Sequence, residues 1–337
     1  MDTLEKLVLR AIADQNLTDE QITPAIEKII PRIADSLLSG LKQKAPEMLE
    51  QRRRSDIGFR ERNFDRWRGG FDLLEMLIVI AEETGSDFNN EFRPRAIKEE
   101  NFAFEALTAL HSKALLISDE ILCLLEGGFA DGANARWRSL HEVATTAIFL
   151  SKHNQETAKQ FLLAEQVQAY SAMRQHQRFA ERAGIDPFSE AEMTAARETH
   201  DAIIKKYGWH MRNEYGWAYP ALSKVKPSFR ELEESVGLDH WRPRFKWASQ
   251  HTHSNYLSPG KLLAMAEAKQ RVLPVGPSNS GLTDPAAEMA LSLVQATASL
   301  LSLESTIDHL VVMQVLRKLA QEIGEEFLKN QQKQATE

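Results

Sequence analysis

Cysteine is nearly absent: among 337 residues there is one, Cys123. That excludes a disulfide within the chain and a thiolate metal cage, and it fits a reducing compartment. Glycine (16) and proline (12) are sparse, which excludes a collagen-like or low-complexity chain. No apolar run approaches the roughly 20 residues of a membrane-spanning helix. The most apolar short stretch, Leu73 to Ala81, is interrupted by Glu75, and the N-terminus carries Asp2 and Glu5 rather than a basic leader. No membrane partner is expected, and a cytoplasmic protein is the default reading. An excess of positive charge is also missing: 41 Lys and Arg against 48 Asp and Glu leave −7. That balance argues against a general polyanion binder but not against a local basic site.

Several chemical signatures are missing as well. Gly260-Lys261 is followed by Leu262 with no glycine at 255, so there is no phosphate loop, and no G-x-G-x-x-G turn occurs. His141-Glu142 opens like a zinc-protease motif but meets Thr145 where the second histidine must stand. No histidine has Glu three residues before it, which removes the di-iron bundle pair. A G-x-S-x-G elbow is lacking too. No cofactor is expected, and no metal site is assigned.

What remains reads with helical period almost throughout, so the fold class is all-α: a multi-helix bundle with an irregular aromatic-rich insertion and a long C-terminal helix. Residues 1–95 form an N-terminal helical region cut into pieces by Pro24, Pro31, Pro46 and Pro94. Residues 96–337 form the bundle core, with 205–280 an irregular aromatic and histidine-rich segment. Gly127-Gly128 stops a helix that begins near Lys98, and Asp131 caps the next. A third helix runs from near Asn154 to Gly184. Ser189 with Glu192 is a capping box, and Asp284-Pro285 is an N-cap and first-turn pair that opens the C-terminal helix.

The segment 131–150 is the most informative on a helical wheel at about 100° per residue. Ala133, Trp137, Leu140, Val143, Ala144 and Ala147 form an apolar stripe with Arg136 inside it, while Arg138, His141 and Glu142 lie on its polar side or edge. On the preceding helix, His111 and Ser118 share the apolar face with Leu107, Ala114 and Leu122. A buried guanidinium must meet a carboxylate, a carbonyl or an anion. Two readings stand: Arg136 and His111 as satisfied structural groups, or a polar cluster with a chemical or anion-binding role.

The run Gly127 to Glu142 (GGFADGANARWRSLHE), with Tyr215-Gly216-Trp217-Ala218 and Lys246 to His253 (KWASQHTH), resembles the bacterial domain of unknown function 5677 family over roughly residues 100–300. That resemblance implies an all-helical bundle and no reaction. Arg136 and His141 also match the R-x-x-x-x-H spacing of ribonucleases in the HEPN superfamily (higher eukaryotes and prokaryotes nucleotide-binding). That second resemblance implies metal-independent RNA cleavage across a homodimer in defence or stress. Arg136 would be the phosphate clamp and His141 the proton-transfer group. Trp137 departs from the polar residue usual after that arginine, and a spacing of five sets the pair about 140° apart on a straight helix.

Residues 205–253 carry nine Lys and Arg against five Asp and Glu, interleaved with Tyr207, Trp209, Tyr215, Trp217, Tyr219, Trp241 and Trp247. Cations for phosphates and flat rings for bases are what a single-stranded RNA or nucleotide surface needs; the plainer reading is that the rings pack this stretch onto the bundle. A second basic stretch, Arg52 to Arg68, reads as a solvated helix with an apolar seam. The leading expectation is an HEPN-like ribonuclease or RNA-binding effector. Arg136 and Arg138 would hold phosphate, with His141 as acid or base. His251 or His253 would be a second proton-transfer group, and Glu142 would orient or charge one of these groups. His111, Tyr215, Trp217 and Trp247 would contact ligand. The alternative is a non-catalytic helical module that binds a protein partner or nucleotide through residues 205–256. A metal-dependent hydrolase using His111, His141, His251 and His253 ranks third.

Overall fold

The computed structural model describes Lys6 and residues 19–224, 226–253, 257–269 and 273–335. Among these residues every regular element is helical, as expected. Ten α-helices follow in order: α1 (Asp19–Lys98), α2 (Phe102–Glu126), α3 (Ala130–Ser151), α4 (Gln155–Ala183), α5 (Glu190–Tyr207), α6 (Tyr219–Leu222), α7 (Phe229–Val236), α8 (Arg242–Gln250), α9 (Thr283–Leu301) and α10 (Ile307–Ala335). None is long and apolar enough to cross a membrane.

The chain forms two compact units, Met1–Arg62 and Asn63–Glu337. In the first, residues 19–62 are helical throughout, and Ile30, Leu37, Leu38 and Leu41 are exposed. Separate helical pieces were expected here, yet α1 runs through Pro24, Pro31, Pro46 and Pro94. Each proline forfeits one main-chain hydrogen bond. The Ala, Leu, Glu, Lys and Arg around them are strong helix formers, and no left-handed glycine ends the run.

The second unit is built on the α2–α3 hairpin. Asn101 caps α2 by accepting the Phe104 N–H, so this helix starts at Phe102 rather than near Lys98. It ends at Gly127, where expected. Helix α9 packs against α2 and α3, and α10 packs against α9. Trp137 of α3 donates its indole N–H to Ser292 of α9 at 3.0 Å inside the core. From the α1 residues of this unit, Trp67 and Phe71 close on Phe327 of α10, with ring centroids 5.3 and 5.8 Å away. Each such fully buried large side chain contributes about 2 kcal/mol. Asn154 caps α4, left-handed Gly184 ends it, and the Ser189–Glu192 capping box opens α5.

Three local expectations differ from the structure. Helix α3 starts from Phe129, and Asp131 makes no cap. Its carboxylate instead accepts the backbone N–H groups of Leu263 (2.8 Å) and Ala264 (3.1 Å), which a distant loop brings to it. Helix α9 begins earlier, at Thr283, which puts Pro285 third in the first turn; its missing N–H still falls among the helix's unpaired donors. The expected long C-terminal helix is α10, but the Asp284-Pro285 pair opens a separate helix, α9, parted from it by residues 302–306.

Gly281 marks where this loop is held closest. Its φ is +76°, and a Cβ there would lie 2.2 Å from the Leu263 carbonyl oxygen. Gly184 has φ +65° with open space around it. Gly281→Ala should therefore lower stability by about 2 kcal/mol or more, and Gly184→Ala by about 1 kcal/mol. Urea denaturation of the two variants checks the order.

Candidate functional site

The aromatic segment is attached to the bundle through one buried carboxylate. Helix α7 (FRELEESV) places Phe229, Leu232 and Glu233 on its buried face. Glu233 has no exposed surface, and its Oε1 lies 3.0 Å from His141 Nε2 of α3. Its Oε2 accepts from Arg242 Nη1 of α8 at 2.6 Å. His141 is itself 1 % exposed and enclosed by the rings of Trp137, Phe229 and Phe245. An ionised carboxylate is tolerated at such depth only with partners on both oxygens. The His141–Glu233–Arg242 bridge thus ties α3, α7 and α8 together.

Helix α8 then contributes Trp247, 62 % exposed, to the walls of two clefts. The first, about 580 Å³, is lined by Arg230, Glu234, Asp239, Arg242, Lys246 and Trp247. The second, about 500 Å³, is lined by Trp247 with Asn134, Arg244, Gln250, His251, Lys261, Asp284 and Glu288, among others. Arg230 is paired with Glu234, and Arg242 with Glu233. Lys246 and Lys261 carry no side-chain ion pair or hydrogen bond among the described residues. Each cleft therefore has one ammonium free to meet an anion.

In the second cleft Arg244 reaches Asp284 (3.2 Å) and Glu288 of α9. Glu288 is 4 % exposed; one carboxyl oxygen accepts from Arg244 and the other has no hydrogen-bond partner. Burial pushes its carboxyl up to about 7, against the opposing pull of Arg244. His251 follows α8, with Nε2 3.6 Å from Asp131.

The sequence-derived candidates distribute unevenly around this geometry. Arg136 faces α2, paired with Glu120 beside Cys123 and Leu124, while His141 is enclosed beneath α7 and α8. Arg138 pairs with Glu142 at 3.0 Å and lies over the Phe245 ring at 4.7 Å. Burial raises the Glu142 carboxyl, an effect that Arg138 opposes, and burial also raises the Tyr215 hydroxyl above its ordinary value. Trp217 is buried edge-on against Phe149 and Phe161. His111 is buried, with Nε2 3.1 Å from Thr297 Oγ1, and burial lowers it to about 4. His251 and Trp247 reach the second cleft, and His253 is exposed. Among the described residues no three His, Cys, Asp or Glu side chains converge on one point.

In the basic stretch expected between Arg52 and Arg68, Arg52, Arg54 and Arg68 pair with neighbouring carboxylates on the same helix. Arg66 is held by Glu267 at 2.9 Å. Sequence reasoning passed over Glu233, Arg242, Arg244, Lys261 and Glu288. Glu233 and Glu288 had a readable signal: each is a carboxylate on the apolar side of its helix.

Residues 104–270 match the model of a family of unknown function, DUF5677. Comparison with curated proteins and with solved structures finds no match.

Glu288 makes stability depend on pH in a definite direction. Its folded value lies above the ordinary 4.5, so the folded chain keeps a proton that the unfolded chain has released. Its contribution is most favourable below pH 4.5 and is lost as pH rises to about 7. Between pH 5 and pH 8 the loss is about 2 kcal/mol. Glu288→Gln should remove that loss, so that in urea denaturation the variant gains on wild type at pH 8 relative to pH 5. An equal difference at both pH values would contradict a titrating carboxyl at this depth.

Proposed function

We propose that the chain, whose residues 104–270 match the family of unknown function DUF5677, is a nucleotide-binding helical module whose ligand lies across Trp247. One observation carries the reading: an exposed indole is the shared wall of two clefts, and each cleft holds an unpaired lysine. A base stacks on a flat ring whatever its identity, contributing about 1–3 kcal/mol. Lys246 on one side and Lys261 on the other supply charge for phosphate, as point charges on flexible stems. Asn134, Gln250, Asp284 and Glu288 offer hydrogen-bonding groups beside the ring. The ligand is a nucleotide, free or at the end of a single strand; both present the same base and phosphate.

Ribonuclease action draws no support from the same geometry. Arg136 is engaged by Glu120, and His141 is enclosed with Glu233. Neither lines the two clefts at Trp247; Arg136 opens instead onto a separate depression with Asp119, Glu120, Cys123 and Leu124.

Calorimetric titration with adenosine and cytidine 5′-monophosphates, and with a short single-stranded RNA, tests the reading and separates the two sources. Trp247→Ala should weaken binding by about tenfold or more. Lys246→Ala and Lys261→Ala should lower affinity and flatten its salt dependence. Absence of binding by wild type, or unchanged affinity in Trp247→Ala, would overturn it. Tighter binding of the strand than of the mononucleotides identifies single-stranded RNA as the source.

A further inference from the structure

We infer that the second cleft selects a nucleobase bearing an exocyclic amino group, with Glu288 as the residue that reads it. This rests on the nucleotide-binding reading of the same cleft. Glu288 Oε1 is occupied by Arg244, while Oε2 is buried in the cleft wall with no donor of its own. A buried acceptor left without a donor is unfavourable, and a ligand N–H placed against it removes that penalty. Once the carboxyl ionises, Arg244 pairs with one oxygen and a donor on the other reinforces that pair, where an acceptor would oppose it. Asp284 adds a second acceptor in the same wall, and Asn134 and Gln250 carry both donor and acceptor groups. A base stacked on Trp247 would present its edge to these groups, and the amino group of adenine or cytosine supplies the missing donor.

The charged and titratable neighbours are Arg244 and His251, Lys261, and Asp284 on the same helix, with Asp131 beside His251. These charges also act on the phosphate, so the comparison must hold phosphate constant. Adenosine 5′-monophosphate and purine riboside 5′-monophosphate differ only by the amino group, as do cytidine 5′-monophosphate and its 4-deamino analogue. In calorimetric titration the amino-bearing member of each pair should bind about tenfold tighter. That ratio should grow from pH 6 to pH 8 as Glu288 ionises. Glu288→Ala should abolish the ratio, and Glu288→Gln, whose amide oxygen still accepts, should retain part of it. Equal binding of both members by wild type, a ratio that falls as pH rises, or a ratio unchanged in Glu288→Ala would overturn the inference while nucleotide binding itself stands. Failure of every nucleotide to bind wild type would remove the nucleotide-binding reading and this inference with it.

Discussion

Glu233 is the carboxylate on which the arrangement of the aromatic segment depends. It has no exposed surface, and a charge at that depth is stable only when both oxygens are engaged. His141 engages one from the bundle and Arg242 the other from α8. Removing either partner leaves a buried charge uncompensated, so the three groups hold as a unit or not at all. The rings of Trp137, Phe229 and Phe245 close around the histidine and keep water from the bridge. The bridge fixes where α8 begins, and the helix carries that placement forward to Arg244, Trp247 and Gln250.

A second anchor holds the loop that supplies Lys261 and Leu263 to the second cleft. Asp131 leaves the end of its own helix uncapped and binds two backbone N–H groups at Leu263 and Ala264. Arg66 reaches Glu267 and the Asn279 carbonyl, and Trp67 donates to that carbonyl as well. Loop backbone that would need solvent is thus satisfied by side chains from helices. Trp247 therefore stands exposed on a support anchored from both directions, as a stacking surface requires to be rigid. The −7 charge of the chain says little about this place, because most of its cations are already neutralised by adjacent carboxylates. Lys246 and Lys261 are what remain for a ligand.

Local signals were legible in the sequence where a side chain caps or ends its own helix. Asn154, Gly184, Ser189 and Glu192 start and stop helices as their types dictate. Prolines 24, 31, 46 and 94 misled, because a helix tolerates a lost hydrogen bond when strong helix formers flank it. Asp131 misled for a different reason: its partners lie more than a hundred positions away, and no local rule foresees them. His141 illustrates the same limit. The wheel places it at the polar edge of α3, and that edge is buried because α7 and α8 cover it. Arg136, by contrast, falls inside the apolar stripe, yet its guanidinium reaches the rim to meet Glu120. The basic and aromatic character of residues 205–253 was readable, but not which rings stay outside, as Trp209 and Trp247 do. Trp217 is buried and Trp247 is not.

Whether a nucleotide occupies the surface of Trp247 can be seen directly by fluorine NMR on protein labelled with 5-fluorotryptophan, the resonances assigned by single Trp→Phe variants. Addition of adenosine 5′-monophosphate should shift the Trp247 resonance in a saturable way and leave those of buried Trp67 and Trp137 in place. A Trp247 resonance that does not move at saturating nucleotide, or a uniform shift of all tryptophans, would contradict the account.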